Sequence, residues 1–114
     1  MTKYLISFDE GTMRISEEDL PAVTEASVTV VRAAMDAGVW VFGGGLTPRQ
    51  GTSVVATDGT VTDAPPAAGK QYLGGFSIVD VPTREEALEW AAKIAVACRC
   101  AQEVREFMPE PDDL

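Results

Sequence analysis

Residues 73–98, LGGFSIVDVPTREEALEWAAKIAVAC, carry the clearest change of period in the chain. Leu73 to Val81 is apolar and branched, with Phe76, Ile78, Val79 and Val81, and reads as the longest strand. The Gly74-Gly75 pair near its start marks a bulge or a close backbone approach. Thr83-Arg84-Glu85-Glu86 then fits a capping box, in which the Thr83 hydroxyl and the Glu86 carboxylate satisfy free N–H groups at a helix start. Beyond it Ala87, Leu88, Ala91, Ile94 and Ala95 share one face at helical spacing.

The same unit precedes it. Lys3 to Phe8 alternates around Tyr4, Ile6 and Phe8 and reads as a first strand. Ser16 and Asp19 are both N-cap candidates; because Pro21 is tolerated only in a first turn, Asp19 suits the main helix better. Leu20, Val23, Ser27, Val30, Val31 and Ala34 form its apolar face, and Ala37-Gly38 supplies the stop. Val39 to Phe42 is a buried strand ending at Gly43-Gly44-Gly45. Ser53 to Thr57 and Thr60 to Thr62 flank Asp58-Gly59, which suits a two-residue hairpin turn. Asp63 to Gln71 reads as loop, and Ala101 to Phe107 as a last strand.

Strand, helix, strand, inserted hairpin, strand, helix, strand is the order of an α+β, ferredoxin-like βαββαβ domain with an inserted β-hairpin. Right-handed crossovers place both helices on one sheet face. Alternation then sets Tyr4, Ile6 and Phe8 against Leu5, Trp40 and Phe42 against Val39 and Val41, and Phe76 and Ile78 against Val79 and Val81. A sheet apolar on both faces but helix-covered on one predicts a homodimer. One domain over residues 1–108 and an acidic tail over 109–114 are expected.

With 114 residues, 46% hydrophobic and 24% charged, the chain has the composition of an ordinary globular domain. Its net charge of −9, with nine scattered Lys and Arg, repels phosphate backbones and anionic lipid, so neither nucleic acid nor membrane is an expected partner. No window approaches the ~20 apolar residues of a membrane span. The N-terminus, MTKYLISF running into Asp9 and Glu10, lacks signal-peptide character, and two cysteines build no disulfide framework; a cytoplasmic location is the expectation.

Residues 61–94, VTDAPPAAGKQYLGGFSIVDVPTREEALEWAAKI, resemble the YCII-related family, specifically its branch named for a D-G-P-F motif followed by K-E and L-G-G-F. The initial KYLI, the AGV closing the first helix and EALEWA on the second extend the likeness along nearly the whole chain. This resemblance implies a dimeric α+β barrel of ferredoxin-like units. Asp63, Pro65, Lys70 and Leu73 to Phe76 match the branch, whereas Ala64 replaces its Gly, Pro66 its Phe and Gln71 its Glu. Some relatives carry a His in the first helix, proposed with an Asp as an active site. That position falls near Ser27, and this chain has no His.

Asp63 and Lys70 flank a proline-containing loop before the double glycine, where a carboxylate and an ammonium converge on a small ligand in the functional reading. Lys70 would hold an anionic group and Asp63 accept a proton or a hydrogen bond, with Tyr72, Gly74 and Gly75 as ligand-binding neighbours. In the ordinary reading Asp63 caps its own turn and Lys70 is a solvated charge. The triple glycine lacks the following helix that a phosphate loop needs, which favours close packing or a bulge. Cys98 and Cys100 fall short of the four ligands of a zinc site, Ser27 has no histidine base, and the acidic residues around Asp9 have nothing to fix their geometry. No metal or cofactor is expected. Trp40, Phe42, Tyr72 and Trp90 line either a cavity or the core. The expectation is thus a dimeric protein binding or transforming a small metabolite near the loop from Asp63 to Gly75. The alternative is a non-catalytic interaction or regulatory protein acting through its dimer and acidic surface.

Overall fold

The computed structural model describes residues 1–63 and 70–111 of the chain. Segment 64–69, which holds the loop prolines, and the last three residues of the tail lie outside the described residues. The elements run β1 (Thr2–Asp9), α1 (Leu20–Asp36), β2 (Trp40–Gly45), a 3-10 turn (Arg49–Gly51), β3 (Val54–Val55), β4 (Val61–Thr62), β5 (Leu73–Val81), α2 (Arg84–Cys98) and β6 (Glu103–Glu106). Four strands form an antiparallel sheet in the order β2-β5-β1-β6, and β3 and β4 form a separate hairpin. The architecture is α+β. Among the described residues no helix is long and apolar enough to cross a membrane.

The core lies between the sheet and α2. Ile6, Val79 and Val81 are fully buried, and Tyr4, Ala87, Ala91 and Ile94 complete the cluster. Register explains the selection: Tyr4 pairs with Val79 and Thr2 with Val81, so their side chains point to the same face. Alanines on α2 let the helix approach closely, and Thr83 fixes its start by accepting the Glu86 N–H at 3.2 Å. Arg99, with φ of 57°, ends it in the left-handed conformation, so Cys98 and Cys100 do not lie along an extended strand.

Several local expectations are corrected. Asp19 occupies the cap position of α1, but its side chain makes no capping bond; it is engaged by the Arg99 guanidinium at 2.9 Å. Ser16 does the local work instead, its hydroxyl accepting the Asp19 N–H at 3.2 Å. Gly38, with φ of +74°, ends α1 at the expected place. β2 does not stop before the glycines but pairs through them, Gly43 with Ser77, Gly44 with Phe76 and Gly45 with Gly75. An irregularity between Trp40 and Phe42 shifts the register, so Trp40 opposes Val79 while Phe42 opposes Ile78. The two aromatics therefore project to opposite faces, against the simple alternation.

The hairpin turn has three residues rather than two. Ala56 N–H donates to the Thr60 carbonyl at 2.8 Å, and Gly59 N–H returns to the Ala56 carbonyl at 2.9 Å. Only Gly59 has a positive φ, +88°, because Asp58 spends its carboxylate on the Thr60 N–H at 2.9 Å. Val54, Val55 and Val61 stay exposed, and the two strands pack chiefly on each other. The radius of gyration of 16.1 Å exceeds the about 13 Å of a compact chain this long, as a projecting arm requires.

Candidate functional site

α1 does not lie flat on the sheet. Val23 and Ala34 anchor it, and the stretch between them stands off from β2 and β5. The gap is a cavity of about 780 Å³, within the range of small-molecule sites. Val23, Ser27 and Val31 form its helical wall; Trp40, Gly43 and Ser77 form the floor; Ile94 and Cys98 of α2 close one end and Phe8 another. Its lining includes no Asp, Glu, Lys or Arg, although 24% of the chain is charged. Leu20, Val28 and Met35 line it as well and are exposed, so the mouth is apolar too.

The glycines of the two strands shape this floor. A Cβ on Gly43 would sit 2.9 Å from the Trp40 ring and 2.6 Å from the Phe76 carbonyl oxygen, so only glycine lets the indole rest on β2. A Cβ on Gly74 or Gly75 would come within 2.7 or 2.8 Å of the Phe8 ring. The double glycine therefore seats Phe8, and the register slips beside it, where Phe8 opposes Gly75 and Asp9 opposes Leu73. Both features anticipated for this pair, the bulge and the close approach, are present.

The polar side chains of the lining are Thr24, Ser27, Ser77, Cys98 and Gln102. Ser27 Oγ and Cys98 Sγ lie 3.4 Å apart, joining α1 to α2, and either atom can donate. Gln102, beside them, donates its amide to the Cys100 carbonyl at 3.4 Å and to Cys100 Sγ at 3.3 Å. Both cysteines are free thiols. Burial pushes the Cys100 thiol up, and the neighbouring Cys98 adds to the shift.

The loop residues singled out from the sequence lie elsewhere. Asp63 is exposed and accepts a hydrogen bond from the Ser53 hydroxyl, which ties the end of β4 to the start of β3. The Lys70 ammonium lies 5.0 Å from the centre of the Tyr72 ring, and the Arg49 guanidinium 6.0 Å from it. Tyr72, Arg49 and Glu10 share a recess of about 220 Å³, with Arg49 Nε 3.7 Å from the Glu10 carboxylate. The Tyr72 carbonyl accepts the Glu10 N–H at 2.7 Å. Of the four aromatics, Trp40 borders the large cavity, Phe42 meets its edge from β2 and pairs with Phe76, Trp90 packs on the core, and Tyr72 belongs to the recess.

Ser27 and Cys98 were the residues that sequence reasoning passed over as a pair. The available signal was the position of Ser27, where the resemblance places a histidine in some relatives. Their contact joins residues 71 apart and leaves no mark in spacing. A second hollow, of about 760 Å³, runs as an open groove between the outer faces of α1 and α2, bordered by Glu25, Lys93 and Arg99. Among the described residues no group of three His, Cys, Asp or Glu is placed to hold a metal ion.

No curated protein is significantly similar to the chain. The model of the YCII-related domain matches residues 4–110, which takes in every strand but the first two residues of β1 and both helices, and the chain belongs to the YCII-related family.

Proposed function

We propose that the protein is a dimeric small-metabolite-binding member of its family, with the ligand held between α1 and the sheet. The carrying observation is the 780 Å³ cavity with an uncharged wall, in which Ser27 and Cys98 form a polar pair joining the two helices. Pockets that are mostly apolar with a few convergent polar groups are the usual form of small-molecule sites. The strand order β2-β5-β1-β6 supports a ferredoxin-like unit, and the D-x-P, K and L-G-G-F matches support the DGPF branch.

Dimerisation through the helix-free sheet face belongs to the same proposal. Register directs Leu5, Phe42, Phe76 and Ile78 to that face, with the Phe42 and Phe76 rings 6.2 Å apart. Phe42 is 63% exposed in the single chain. A second copy covers the apolar side chains.

A second reading is favoured by one observation: two cations, Lys70 and Arg49, flank Tyr72 beside its recess. There an anionic ligand would meet Lys70 and Arg49, with Glu10 as the carboxylate of the recess. The two readings separate in a thermal-shift screen of a metabolite collection. Compounds that stabilise the wild type are expected to lose their effect in Val31→Phe, which pushes a ring from α1 into the helix-side cavity, and to keep it in Lys70→Ala. The opposite pattern transfers the site to the loop.

A further inference from the structure

Resting on the helix-side reading, we infer that the ligand of this cavity is an uncharged, largely apolar molecule bearing one hydroxyl, which it presents to the Ser27 and Cys98 pair. The first ground is the wall. Phe8, Val23, Val31, Trp40 and Ile94 bring apolar surface, and no lining residue brings a charge. A carboxylate or ammonium taken from water into such a wall finds no counter-charge, and its lost hydration is uncompensated. The chain as a whole carries a net charge of −9, which raises the barrier further for anions. Amines are drawn by the same field, but the wall holds no carboxylate to receive them.

The second ground is the polar pair. Ser27 Oγ and Cys98 Sγ share one hydrogen across 3.4 Å. If the serine donates, its oxygen still accepts; if the thiol donates, the serine O–H is still available. A ligand hydroxyl, being both donor and acceptor, is served by either arrangement. A ketone or ether uses only the free donor of the pair, the serine O–H or the weaker S–H, whereas a hydroxyl also uses its acceptor, and a carboxylate leaves its charge unmatched. The two residues come from α1 and α2, so a ligand seated there also bridges the helices across the gap that separates α1 from the sheet.

Octan-1-ol, octanoate and octylammonium test this directly, because they share a chain and differ in head-group charge. Trp40 lines the cavity, and in Trp90→Phe it is the remaining tryptophan, so its emission reports occupancy. Calorimetry on the wild-type protein repeats the comparison without the substitution. Octanol is expected to shift Trp40 emission and to bind at least tenfold more tightly than either ion. Ser27→Ala is expected to weaken octanol roughly two- to tenfold, the loss of one hydrogen bond. Equal or tighter binding of octanoate or octylammonium at Trp40 overturns the inference and leaves the cavity as the site. No binding of any of the three in either format overturns both.

Discussion

A methyl group on Gly43 would stand 2.6 Å from the Phe76 carbonyl oxygen and 2.8 Å from Ser77 Cα, and backbone cannot swing aside as a side chain can. Gly43→Ala is therefore expected to cost about 1–3 kcal/mol, the range of an overpacked core. Gly45→Ala, whose added carbon has only the Gly74 carbonyl at 4.0 Å, is expected within about 0.5 kcal/mol of wild type. Urea unfolding of the two variants checks the contrast. Tyr4 makes a pH prediction. Burial first, and then the Glu106 carboxylate 3.3 Å from its hydroxyl, push its pKa up. A tyrosine raised in the folded state ionises earlier in the unfolded one, so its contribution is whole below pH about 10 and is lost as pH rises through the folded value. Unfolding of wild type and Tyr4→Phe between pH 8 and 11 should show a steeper alkaline decline in the wild type. At this scale the sequence announced that Gly74 and Gly75 admit something close. That the visitor is Phe8 depended on strand register, which no local pattern states.

Thr83 illustrates what was legible at the scale of elements. A hydroxyl three residues before Glu86 and ahead of an apolar run defines a helix start, and the structure places α2 from Arg84 to Cys98 behind it. Thr83→Ala is expected to lower stability by about 1 kcal/mol, read from the thermal unfolding midpoint, while Thr83→Ser keeps most of it. β5 and α1 were equally plain, because nine and seventeen residues of consistent period leave little ambiguity. Signals failed where long-range partners decide. Asp19 has a capping side chain, yet Arg99, 80 positions away, takes its carboxylate. β2 continues through glycines that look like a stop, since β5 is there to pair with them. The bulge that turns Trp40 and Phe42 to opposite faces is a property of that pairing and not of the residues WVF.

For the whole molecule, alternation along β1 and β5 already showed a sheet greasy on both sides, and this is why a dimer was expected before any geometry. The proposal requires that light scattering give twice the 12.1 kDa protomer mass. Phe42→Glu, a change at an exposed position that the single chain tolerates, should return that mass to the protomer's while keeping the far-ultraviolet circular dichroism. A wild-type protein that stays a folded protomer at high concentration contradicts it. The cavity was less legible. Residues spread from Phe8 to Gln102 meet there, and the helix that opens it has an apolar face no different in sequence from one that lies flat. Asp63 and Lys70 stand out in the sequence because they match the branch motif and flank a proline-containing loop, whereas the helix-side wall is made of residues that read as core. Amide chemical-shift mapping with octan-1-ol is the most direct test of where a ligand sits. The account predicts shifts centred on Ser27, Gly43, Ser77 and Cys98; shifts centred on Asp63, Lys70 and Tyr72 would contradict it.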